Sequence, residues 1–81
     1  MTIPVTFYSY FKDLTGTERI EMELAAGSNL GQLHQLLMDQ FPRLSAMRMS
    51  TLIAVGVEYQ DPSYVLQSGD EVALFPPVQG G

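Results

Sequence analysis

Apolar and polar residues alternate at the start of the chain: Ile3, Val5 and Phe7 fall on one side, and Thr2, Pro4, Thr6 and Tyr8 on the other. A period of two predicts a strand with one buried face. Pro4 is tolerated so near the start, where a ladder N–H is dispensable. After a connection holding Leu14 and the turn residue Gly16, Ile20, Met22 and Leu24 alternate with Arg19, Glu21 and Glu23. This predicts a second strand, antiparallel to the first.

Ala25-Ala26-Gly27 breaks that pattern, and Ser28 stands where a helix N-cap would accept from the first free amides. Leu30, Leu33, Leu37 and Phe41 then form one apolar stripe at helical spacing, which Pro42 closes. Gly31 at the third helical position makes the helix start softer than a capping-box residue would. Residues 43–50 show no clear period, leaving Met47 and Met49 between a loop and a short helical turn. Leu52-Ile53-Ala54-Val55 is a continuous apolar run, suited to a strand buried on both faces or ending under the helix. Gly56 marks a bulge or tight bend before the short strand Val57-Glu58-Tyr59. Asp61-Pro62-Ser63 and Ser68-Gly69-Asp70 read as turns, and Glu71 to Phe75 as the final strand. One helix among these strands cannot cover both faces of a parallel sheet, so the expected class is α+β, one main helix packed on one face of a mixed sheet.

Composition narrows the function. An 81-residue chain is one domain, and its 46% hydrophobic content suffices for a small core. Nine acidic residues against four basic ones give a net charge of −5, which argues against tracking nucleic-acid phosphates and for a basic partner surface. No cysteine is present, so thiolate metal sites, thiol nucleophiles and disulfides are excluded, and no metal site is expected. Without a signal-like or membrane-spanning run, a soluble cytoplasmic protein with no membrane role is the expectation.

The stretch Leu74-Phe75-Pro76-Pro77-Val78-Gln79-Gly80-Gly81 has its own logic. The diproline cannot continue a sheet ladder and projects the chain outward. Gly80 and Gly81 lack a Cβ, so an enzyme can thread the carboxylate through a channel too narrow for side chains. Six extended residues from Pro76 reach about 20 Å. The expected organisation is a domain over 1–75 and an extended tail over 76–81.

Phe7-Tyr8, Lys12-Asp13-Leu14-Thr15-Gly16-Thr17, Leu52-Ile53-Ala54-Val55 and Gly69-Asp70-Glu71-Val72-Ala73-Leu74-Phe75-Pro76-Pro77-Val78, with Gly80-Gly81, resemble the ubiquitin-like sulfur carriers, above all the MoaD-type small subunit of molybdopterin synthase. The resemblance implies a ubiquitin-like β-grasp fold. It implies that Gly81 is adenylated by a ubiquitin-activating-type enzyme using ATP and magnesium, is converted to a thiocarboxylate by a sulfur-donor protein, and enters the synthase's large subunit. Sulfur there passes to cyclic pyranopterin monophosphate, and this chain has no catalytic site and no bound cofactor of its own. A sulfur carrier of another pathway, such as thiamin synthesis, shares the Gly-Gly end but usually lacks the diproline. A ubiquitin-like module that is conjugated, or that only binds partners, is the third reading.

Other candidates are fewer. His34, one step off the apolar stripe, reads as a solvated helix residue. Glu18, Glu21 and Glu23 form an acidic run on an outward strand face, a solvated surface or a contact for a basic partner. Lys12 stands where the family often has arginine, whose bidentate fork lysine cannot reproduce. Gly56 stands where the family commonly has asparagine. Phe75, with Val78 and with Leu52, Val57 or Tyr59, is the expected docking surface, Leu52 being preferred for the core and Phe75 for the interface.

Overall fold

The computed structural model describes residues 1–77. The expectations for Val78, Gln79, Gly80 and Gly81 lie outside the described residues.

The alternating segments form β1 (Thr2–Phe7) and β2 (Arg19–Glu23), paired antiparallel with Val5 opposite Ile20 and Ile3 opposite Met22. Ile3, Val5 and Phe7 are buried, as the period of two requires. Between these strands lies an element that the pattern did not predict, a short helix α1 (Phe11–Thr15). Phe11 anchors it in the core, and Gly16 ends it at φ +76°, a left-handed conformation that glycine adopts freely.

The stripe of leucines forms the main helix α2 (Leu30–Gln40). Leu30, Leu33, Leu37 and Met38 are buried, and each contributes roughly 1.5–3 kcal/mol on burial. The N-cap is Asn29 and not Ser28. The Asn29 side chain accepts from the Gln32 amide at 2.8 Å, while the Gln32 side chain accepts from the Asn29 amide at 2.8 Å, a full capping box. Ser28 instead directs its hydroxyl to the Ala25 carbonyl. Gly31 does not soften the start, because its amide donates to the Pro62 carbonyl at 3.0 Å and Leu30 donates to Tyr64. A Cβ on Gly31 would lie 3.4 Å from Pro62, so this glycine permits a close approach of the 60s loop.

Pro42 opens a 3-10 helix over Pro42–Ser50, where the sequence had no period; Leu44 is its buried residue. Then come β3 (Leu52–Val55), β4 (Glu58–Tyr59) and β5 (Val72–Phe75). The five strands make one sheet in the order β2-β1-β5-β3-β4, in which only β1 and β5 run parallel. Helix α2 and the 3-10 helix bury one face of this sheet; Phe7, Leu33, Leu37, Leu44, Leu66 and Leu74 share that core. The result is the α+β layering that the pattern called for. No helix among the described residues is long and apolar enough to cross a membrane.

Candidate functional site

The opposite sheet face is where the candidate residues gather. Cross-strand partners share a face, so Leu52 and Phe75, Ala54 and Ala73, and Ala54 and Tyr59 all point away from α2. This corrects the assignment of Leu52 to the core: it is half-buried and opposite Phe75. The other half of the same face, on β1 and β2, carries Thr2, Pro4, Thr6, Arg19, Glu21 and Glu23. One face therefore has an apolar half and a charged half. Arg19 and Glu71 approach to 3.9 Å between them.

Phe75 stands at the centre of the apolar half. Its ring meets Tyr8 edge to face at 6.1 Å and Tyr59 at a tilt at 5.5 Å. Together with Ala54, Gly56, Val57 and Ala73 these rings line an open groove of about 530 Å³. Tyr8 is 52% exposed, Tyr59 64% and Val57 fully exposed. An aromatic surface of this kind is favourable to bury against a partner. Pro76 and Pro77 follow Phe75 directly, so the tail leaves from the groove's edge.

Tyr8 enters the sequence reading through the strand alternation and the Phe7-Tyr8 resemblance, not as a docking residue. It follows a buried Phe7 on a strand whose polar face looked ordinary, and only the parallel pairing of β1 with β5 brings it to Phe75. Gly56 and Val57 form a two-residue hairpin turn between β3 and β4, since Val55 pairs with Glu58. Gly56 has φ +62° at the first central position, as type II′ turns require.

Lys12 is not among the residues that line the groove. It lies on α1, exposed, with its Nζ 4.0 Å from Glu18, an ion pair of little energetic weight. Glu18, Glu21 and Glu23 are exposed, and the Thr2 hydroxyl donates to Glu23. His34 departs from its expected place in solvent. It is half-buried, because Leu30 and Met38 lie one turn to either side on the core-facing stripe, and its Nε2 is buried with no hydrogen-bond partner among the described residues. Burial, and then the charge of Arg48, hold its pKa below the ordinary value. Among the described residues no group of three histidine, aspartate or glutamate side chains could hold a metal ion.

A model described as the ThiS family matches residues 5–81. The molybdopterin synthase sulfur carrier subunit of Arabidopsis thaliana is 30% identical over 79 residues, spanning 98% of this chain and 82% of that protein. A putative molybdopterin converting factor subunit 1 from Pyrococcus furiosus superposes with a TM-score of 0.89 at 24% identity, over 96% of this chain and 99% of that one. In a complex of subunits 1 and 2 of the molybdopterin-converting factor from Helicobacter pylori, the matching chain superposes with a TM-score of 0.72 at 23% identity, with all of both chains covered.

Proposed function

Because the chain belongs to the ThiS family and has the ubiquitin-like β-grasp fold, we propose that it is the sulfur carrier subunit of a molybdopterin synthase, working in the cytoplasm. The observation that carries this reading is the extent of the family match, which runs through Gly80 and Gly81.

The chemistry belongs to the Gly81 carboxylate. A carboxylate is a poor electrophile. Attack of its oxygen on the α-phosphorus of ATP expels pyrophosphate and gives an acyl adenylate, a mixed anhydride with AMP as leaving group. Sulfide then adds to the acyl carbon, AMP departs, and a thiocarboxylate remains. A persulfide donor reaches the same product through an acyl disulfide that a thiol cleaves. ATP and magnesium belong to an adenylating partner of the ubiquitin-activating type, and the sulfur to a donor protein.

The groove at Tyr8, Tyr59 and Phe75 is then the surface by which the carrier docks on the synthase's large subunit, while the diproline directs the tail toward its active site. Likeness to the small chain of the Helicobacter pylori complex supports this mode of assembly. The acceptor of the sulfur is cyclic pyranopterin monophosphate, and the side chains that act on it are the large subunit's.

Intact-protein mass spectrometry tests the reading. After incubation with an adenylating enzyme, ATP and sulfide, the expected product has one oxygen replaced by sulfur, and a chain lacking Gly81 stays unchanged. No exchange with an enzyme that loads another carrier would overturn the proposal.

A further inference from the structure

The two edges of the sheet are unlike. β4 has two residues, whereas β2 is a five-residue strand with β1 on one side only. Along an antiparallel ladder, hydrogen-bonded and non-bonded pairs alternate. Met1 and Leu24 form a bonded pair: the Leu24 amide donates to the Met1 carbonyl at 2.8 Å, and the Met1 ammonium to the Leu24 carbonyl at 2.7 Å. Six residues on, the Phe7 amide donates to the Glu18 carbonyl at 2.8 Å. The alternation between these pairs turns the backbone groups of Ile20 and Met22 toward β1, and those of Arg19, Glu21 and Glu23 outward. The Arg19 carbonyl accepts from the Thr17 hydroxyl at 3.2 Å. Among the described residues, no hydrogen bond uses the amide or carbonyl of Glu21 or Glu23.

Side chains alternate across the same strand. Ile20 and Met22 pack, partly buried, against the core. On that side a cavity of about 390 Å³ opens between the end of β2 and the flank of α2, lined by Glu23, Leu24, Gln32 and the exposed Leu36 among others. Glu21 and Glu23 stand exposed on the other side. The two ion pairs among the described residues, Lys12 with Glu18 and Arg19 with Glu71, give neither carboxylate a cation.

We propose that the β2 edge takes up an extended segment of a partner protein as an added strand, with basic residues opposite Glu21 and Glu23 and an apolar residue between them, opposite Met22. The backbone of that segment completes the bonds that Glu21 and Glu23 leave open, and its charges meet theirs across the strands. Its apolar side chain falls on the α2 side, toward the recess at Leu36. A second copy of the chain is a poorer occupant, because each copy carries −5 and Arg19, the one cation of β2, is already drawn to Glu71.

Hydrogen exchange distinguishes an added strand from loose attraction between charges. The isotope-labelled full chain is titrated with a short capped peptide alternating lysine and valine and, separately, with one alternating glutamate and valine. With the lysine peptide, saturable amide shifts are expected along β2 and at Leu36, and exchange at Glu21 and Glu23 should slow by about tenfold or more. The amides of Ile20 and Met22, already bonded to β1, should change little. The double variant Glu21→Lys, Glu23→Lys should bind the lysine peptide about tenfold or more weakly and should prefer the glutamate peptide. Absence of saturable shifts overturns the proposal, as does binding without protection of the Glu21 and Glu23 amides. An equal response to both peptides, or shifts centred on the groove at Phe75, also overturns it. Protection that rises with protein concentration and doubles the mass in the absence of peptide would make a second copy the occupant and overturn it too.

Discussion

The ring of Phe75 meets that of Tyr8 edge to face because β1 and β5 run parallel, and the bond from the Tyr8 amide to the Leu74 carbonyl, 3.0 Å, extends their ladder by one step. The first strand thereby supports the residue from which the tail departs. Removing Phe75 strips the centre of the groove, and Phe75→Ala is expected to weaken large-subunit binding by about 2 kcal/mol or more, with a smaller loss of folding stability. Since aromatic pairs contribute about 0.5–1.5 kcal/mol beyond area, Tyr8→Ala and Phe75→Ala should couple by that amount in a double-mutant cycle of folding stability. Calorimetric titration beside urea unfolding checks both. Unchanged binding with lost stability would assign Phe75 to the core.

The turn at Gly56 resolves a difference from the family pattern. A φ of +62° at the first central position of a type II′ turn is open to glycine without cost, and asparagine is found in such primed turns more readily than alanine. Gly56→Asn should therefore cost less stability than Gly56→Ala, for which about 1–2 kcal/mol is expected. No neighbouring atom lies within 4 Å of the Cβ position, so any cost is conformational. Equal losses in the two variants would show that asparagine has no advantage over alanine at this backbone conformation.

At the start of α2, Asn29→Ala removes the acceptor for the Gln32 amide, while Ser28→Ala removes only a bond to the Ala25 carbonyl. The first should lower stability by about 1 kcal/mol, a fall of roughly 4–8 °C in a melt for a domain of this size. The second should change the melt by much less. Thermal unfolding followed by circular dichroism separates them, and the reverse ranking would return the cap to Ser28.

That cap illustrates what the sequence could and could not disclose. Serine and asparagine are both good N-caps, and the deciding signal, Asn29 followed three residues later by Gln32, was present in the chain. The strands β1 and β2 and the stripe of α2 were legible because burial on one face imposes a period, β3 because its four residues form a continuous apolar run, and β4 and β5 from the turn residues that bound them. Helix α1 was not: five residues carry too little period, and it exists because Phe11 is held in the core. Phe75 could be singled out from its place before the diproline. Tyr8 could not, since its partnership with Phe75 depends on a parallel pairing between strands at opposite ends of the chain.

His34 makes a prediction about acid. Its folded-state pKa lies below the unfolded value of about 6.5. Above that pH neither state holds the extra proton, so the histidine adds no slope. As the pH falls below it, the unfolded chain protonates first, and stability declines until the folded state also protonates. Asp61 acts in a separate, lower window, because hydrogen bonds from Ser63 depress its pKa and its contribution is lost only as the pH falls below its unfolded value of 3.8. Urea unfolding in a phosphate-free, carboxylate-free buffer between about pH 7 and pH 5 should therefore show falling stability in the natural chain and a flatter profile in His34→Gln. A decline of equal size in both chains would place its origin in other groups and remove His34 from the account.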